Sequence, residues 1–156
     1  MRGLPAAGLA VTICLAGWVQ PADAQLFSST GPVIAILGGE LLVGEATGHL
    51  GGWGTLTLRS HSKAQRTCAG EFSYSEALGD AGRLKCSDGA SAEFRFQRLS
   101  LMRGYGTGAS GRSALSFTYG LSAEESAPYL ELPAGKELRR DGNDLELVAA
   151  VPFPRR

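Results

Sequence analysis

Alternation of apolar and polar positions dominates this chain from Gly44 onward. In Trp53 to Ser60, Leu56 and Leu58 share one face while Thr55, Thr57 and Arg59 share the other, the pattern of a half-buried strand. Arg66 to Tyr74 repeats it, with Cys68, Phe72 and Tyr74 on one side and Thr67, Glu71 and Ser73 on the other. Arg83 to Cys86 sets Leu84 and Cys86 against Arg83 and Lys85, and Ala92 to Arg98 sets Phe94 and Phe96 against Glu93, Arg95 and Gln97. At Arg98-Leu99 the parity slips by one, which predicts a bulge. Leu115, Phe117 and Tyr119 mark a further strand.

Turn chemistry separates these pieces. Gly38-Gly39 follows the continuous apolar run Pro32 to Leu37, and Leu41 to Val43 begins the next extended piece. A turn is expected at Gly79 to Gly82, a tight hairpin at Ser87-Asp88-Gly89-Ala90, and a type I′-like turn at Asp141-Gly142-Asn143 before a last strand over Asp144 to Val151. Gly104 to Arg112 reads as a Gly/Ser-rich connector, and Gln25 to Thr30 as a frayed polar lead-in. Ser122-Ala-Glu-Glu125 fits a capping box, so a short helix is expected near 123–129, where Pro128 prevents a long one. About seven or eight strands, mostly joined by hairpins, imply an all-β, single-domain antiparallel meander closing as a small barrel or folding as a sandwich.

The first two dozen residues have another pattern. Met1-Arg2 is positive, Leu4 to Val19 is an apolar run of roughly 16 residues, and Ala22-Asp23-Ala24 is a small-x-small site. Residues 1–24 therefore read as a signal peptide, 25–151 as the single β domain and 152–156 as a loose tail. The apolar run is short of the ~20 residues that span a bilayer, so no transmembrane segment is expected in the mature chain. The periplasm is the expected compartment; the alternatives are an extracellular location and an outer-membrane lipoprotein through Cys14, whose preceding Ile13 is a poor fit to lipid processing.

Charge narrows the partners. Fifteen basic and fifteen acidic residues balance, and a leader carrying Arg2 and Asp23 removes one of each. No bulk attraction to nucleic acid follows from that balance. Export leaves Cys68 and Cys86 as the only two cysteines, both on the apolar faces of their strands, and an oxidising compartment favours a disulfide between them. A Cys2His2 metal site with His49 and His61 lacks the close ligand pairs such centres use, and no metal or cofactor is expected.

Candidate chemistry is sparse. Gly106 to Gly111 matches G-x-G-x-x-G, but it precedes an alternating strand, whereas the dinucleotide motif acts at a helix N-terminus. Ser60, His61, Ser62 and Asp88 lack the structured turn that exposes a nucleophile. The most suggestive surface is basic and aromatic: Arg95, Arg98, Arg103 and Tyr105, with Arg112 following, could grip a polyanion, a glycan or an envelope protein.

The segments Cys68-Ala-Gly-Glu-Phe72, Gly82-Arg-Leu-Lys-Cys86-Ser-Asp-Gly89, Phe94-Arg-Phe96 and Gly104 to Gly111 resemble a group of small exported proteobacterial β-proteins that share a C-x-G-x-F, C-x-D-G, F-x-F, G-x-G cadence. Gly31 to Ile36 and Gly44 to Gly48 look like the same group. The resemblance covers most of the chain after the leader and implies a bacterial periplasmic setting. It carries over no activity and no functional residues. The expectation is a non-enzymatic binding or envelope-accessory module. The alternatives are a small envelope hydrolase assembled from distant residues such as His49, His61 and Asp88, and an inhibitor or chaperone-like partner recognisable by an exposed apolar patch.

Overall fold

A computed structural model describes residues 28–62, 65–75 and 79–151. The leader, Cys14 and the tail 152–156 lie outside the described residues. Eight strands follow one another around a closed antiparallel barrel: β1 (Ser28–Leu37), β2 (Glu40–His49), β3 (Trp53–Ser60), β4 (Thr67–Ser73), β5 (Asp80–Cys86), β6 (Ser91–Ser100), β7 (Arg103–Ser110) and β8 (Ser113–Tyr119). Pairing of β1 with β8, from Val33 opposite Tyr119 to Leu37 opposite Leu115, closes the ring. Of the two all-β architectures the alternation allowed, the chain adopts the barrel, which leaves no free edge in the main sheet.

Parity decides which residues go inside. Leu56, Leu58, Cys68, Leu84, Cys86, Phe94, Phe96, Leu115 and Phe117 are buried within the ring, and Thr55, Thr57, Arg59, Glu93, Arg95 and Gln97 face outward. Apolar inside and polar outside is the reverse of a transmembrane barrel. No helix among the described residues is long and apolar enough to cross a membrane. Cys68 lies directly opposite Cys86 in the β4–β5 ladder and the two are joined by a disulfide.

The continuous apolar run of β1 has a separate cause. Val33, Ala35 and Leu37 point into the barrel, while Ile34 and Ile36 point out and are covered by the C-terminal elements. These are helix α1 (Ala123–Ser126), a 3-10 turn (Ala127–Tyr129) and a two-stranded hairpin, β9 (Lys136–Asp141) with β10 (Asp144–Ala149). Ala123, Leu130 and Leu145 bury against Ile34 and Ile36. The capping box is present: the Ser122 hydroxyl accepts from the Glu125 amide and the Glu125 carboxylate accepts from the Ser122 amide. Beneath the helix, Thr118 and Ser126 share a 2.7 Å hydrogen bond and Ser116 accepts from the Glu131 amide at 2.8 Å, so the polar outer face of β8 is satisfied where it is covered.

Several expectations need correction. Gly104 to Arg112 is no connector: residues 103–110 are β7, in the middle of the barrel wall. Its inward positions Gly104, Gly106 and Gly108 lack side chains because rings from neighbouring strands occupy that space; a Cβ at Gly106 would sit 2.5 Å from Phe117 Cζ. Ser28 to Thr30 belong to β1, where they pair with Thr47 to His49, because ladder pairing needs only backbone. Residues 80–82 are strand, so the turn before β5 lies earlier than expected. β9 (Lys136–Asp141) is a strand whose residues have no alternating signal. At Gly142-Asn143 only Gly142 has positive φ (59°), the sign pattern of a type II′ turn instead of I′. The bulge is present, as a register shift between Arg98 and Ser100.

Candidate functional site

The two ends of the barrel differ. The end holding the β1–β2, β3–β4, β5–β6 and β7–β8 connections is filled by Leu37, Leu42, Leu58, Leu84, Leu115 and the Cys68–Cys86 bridge. A polar clasp seals it from outside. Arg66 contacts Glu40 at 3.2 Å and Asp88 at 2.8 Å, and Ser60 and Ser62 both donate to Glu40 Oε1. Burial alone would raise the Glu40 pKa; the two hydroxyls and the Arg66 charge outweigh it and hold the carboxyl below its usual 4.5. That depressed value stabilises the folded state above about pH 4.5 and the contribution is lost as pH falls through the lower folded value. In an acid titration followed by circular dichroism, Glu40→Gln is therefore expected to show a smaller loss of thermal midpoint below pH 4.5 than the unaltered protein; equal losses would contradict the assignment.

The opposite end is open. A cavity of about 500 Å³ runs inward from the mouth, walled by the rings of Phe72, Tyr74, Phe94, Phe96, Phe117 and Tyr119, with Leu56, Val33 and Ala46 completing its wall. The rings hold one another edge to face: Phe94 against Phe117 with centroids 5.0 Å apart, Phe72 against Phe96 at 5.8 Å, and Phe96 against Tyr119 at 6.0 Å. Gly54 opposite Phe72, Gly82 opposite Phe94 and Gly106 opposite Phe117 give these rings the space to lie along the wall, and the middle of the barrel stays open. An eight-stranded ring is about the size at which the interior is either filled by side chains or holds one small ligand. Here one half is filled and the other is hollow.

Polar groups are few and gather at the neck. Arg98 Nε donates to Asp80 Oδ2 at 2.7 Å, and the guanidinium carbon lies 5.0 Å from the centre of the Tyr74 ring. The Tyr119 hydroxyl is buried with no hydrogen-bond partner among the described residues. Burial raises the pKa of both Tyr74 and Tyr119, so each hydroxyl keeps its proton at neutral pH.

No match was found among protein-family models, curated proteins or solved structures.

The basic-aromatic residues singled out in the sequence are split by the barrel wall. Arg98 is at the cavity neck. Arg95 faces outward from β6; Tyr105 faces outward from β7, donates to Gln97 Oε1 at 2.8 Å and stacks on Tyr129 at 4.3 Å; Arg103 pairs with Glu125. Arg112 is in the β7–β8 turn at the far end. The hydrolase constellation is not assembled either. His49 stacks on Trp53 at the open mouth, whereas His61 and Asp88 lie at the closed end, with the length of β3, roughly 23 Å, between. Gly106 to Gly111 is strand and turn, so the helix a dinucleotide motif requires does not follow it.

Sequence reasoning missed the cavity and the Tyr119–Arg98–Tyr74 neck. The parity of Tyr74, Phe96 and Tyr119 was a signal for an aromatic interior, but not for an empty one. It also missed the mouth's collar: Leu50, Trp53, Leu99, Leu101 and Met102 are exposed large apolar residues, all at the open end. Leu50, Leu101 and Met102 border the cavity itself.

Proposed function

We propose that this is an exported, periplasmic, non-enzymatic binding barrel that takes one small, mainly apolar ligand into its open half. The observation that carries the reading is the 500 Å³ aromatic-walled cavity, a size and lining typical of small-molecule sites. The exposed apolar collar supports it, because an apolar ligand must cross that rim on its way in. Arg98 is the one residue of the sequence-derived ligand surface that this reading uses directly.

The test uses the uncharged fluorophore N-phenyl-1-naphthylamine, whose emission rises in apolar surroundings. A saturable signal at one probe per chain is expected, together with a change in the emission of Trp53, which sits at the mouth. Ala46→Phe projects a ring into the hollow and is expected to weaken binding by about tenfold or more, with the thermal midpoint unchanged or raised by the added apolar contact. Non-saturable binding, or Ala46→Phe binding as tightly as the unaltered protein at equal stability, would remove the reading.

The collar favours one second reading, an inhibitor-like or chaperone-like module docking an apolar surface of a protein partner. The two separate by mutation. Leu50→Asp with Leu101→Asp would abolish partner docking, whereas Ala46→Phe, inside the barrel, would leave it intact.

A further inference from the structure

We propose that the ligand is a carboxylate-bearing amphiphile, its apolar body held between Phe94, Phe117 and Leu56 and its carboxylate at the neck between Arg98 and the hydroxyls of Tyr74 and Tyr119. This rests on the binding reading above and adds the chemistry of the head group.

Donors outnumber free acceptors at the neck among the described residues. Among the described residues Asp80 is the carboxylate there, and its oxygens are already engaged: Oδ2 accepts from Arg98 Nε at 2.7 Å and Oδ1 from the Ser75 amide at 3.3 Å. Arg98 spends only Nε on Asp80 and has no hydrogen bond from its terminal nitrogens to a described residue. A guanidinium carries five N–H donors in a planar fork, so one edge can hold Asp80 while the other accepts a second carboxylate. Asp80 and the Tyr74 ring fix the plane of that fork before any ligand arrives. A group whose geometry is set in advance loses less entropy on binding.

Tyr119 supplies the second observation. Its hydroxyl is covered, has no hydrogen-bond partner among the described residues, and belongs to a ring that lines the cavity. A buried hydroxyl without a partner costs stability, and an incoming acceptor relieves that cost. Tyr74, whose ring packs on Phe96 at 5.5 Å as that of Tyr119 does at 6.0 Å, brings another phenol. Three donors whose one acidic neighbour among the described residues is occupied call for an acceptor-rich, negatively charged head. Below the neck the wall has only apolar groups, which calls for a hydrocarbon chain or ring system. The orientation follows: apolar end inward, carboxylate at the neck.

Displacement of N-phenyl-1-naphthylamine by dodecanoate and by dodecan-1-ol tests this, since the two share a chain and differ in the head. Dodecanoate is expected to compete at about tenfold lower concentration or better, the scale of a charge-assisted hydrogen-bonded pair. Arg98→Gln is expected to remove that preference while leaving the alcohol's competition within about twofold. Tyr119→Phe is expected to weaken dodecanoate by about threefold or more and to leave the thermal midpoint of the ligand-free protein unchanged or higher, because it deletes an unpartnered hydroxyl. Equal competition by acid and alcohol in the unaltered protein, or a preference that survives Arg98→Gln, overturns this inference while the binding reading stands. Failure of the naphthylamine to bind overturns both.

Discussion

Gly106→Val is expected to destabilise the barrel by about 3 kcal/mol or more, and to leave little folded protein if total stability is modest. The new Cβ would lie 2.3 Å from the Arg95 carbonyl oxygen and 2.5 Å from Phe117 Cζ. The first neighbour is backbone of β6 and cannot step aside without breaking the β6–β7 ladder. The second is a ring locked edge-on against Phe94. Gly111→Ala is the control: that residue is also in a glycine-rich stretch and has φ of 59°, but nothing lies within 4 Å of its Cβ position, so only the strain of about 1 kcal/mol is expected. Urea midpoints of the two variants measure the difference. A Gly106→Val protein within about 1 kcal/mol of the original would mean that the β7 glycines do not back the aromatic rings.

That contrast explains what could be read in the sequence and what could not. Where inward positions carry side chains, as in β3, β6 and β8, the period of two is visible and the strand, its faces and the Arg98 bulge all follow. In β7 the inward positions are glycines, so the alternation is present in the backbone and absent from the letters. Its trace lies in another strand, in the Phe117 whose ring needs the space Gly106 leaves. The doubly apolar β1 was legible as a strand, but its outer cover, β9–β10, was only half legible, because Glu137 to Asp141 do not alternate and carry charge at both faces. The cavity was hidden for a different reason. Parity tells which residues point inward, and the same inward aromatics could have met in the middle and filled it. Whether they do depends on the circumference of the closed ring and the tilt of each side chain. Arg98 was singled out for its charge, while its place at the neck came from the bulge and from Asp80.

Removal of the disulfide is the second large effect. Cys68→Ala with Cys86→Ala is expected to cost about 3 kcal/mol for a closed loop of 18 residues, and to lower the thermal midpoint by roughly 10 °C in a domain of this size. The bridge joins the two strands at the filled end, next to the Arg66 clasp, so its loss frees the β4–β5 pair where the barrel is held shut. The unaltered protein in strong reductant should reproduce the same fall. Identical midpoints with and without reductant would show that the bridge contributes nothing to the fold, and would also weaken the argument for an oxidising compartment.

The hollow half of the barrel is the centre of the account, and amide NMR during titration with N-phenyl-1-naphthylamine addresses it most directly. Shifts are expected to concentrate at Gly31, Gly48, Phe94, Phe117 and Tyr119, around the open end and along the inner wall. Shifts confined to the outer face around Tyr105 and Tyr129, or none at saturating probe, would contradict it.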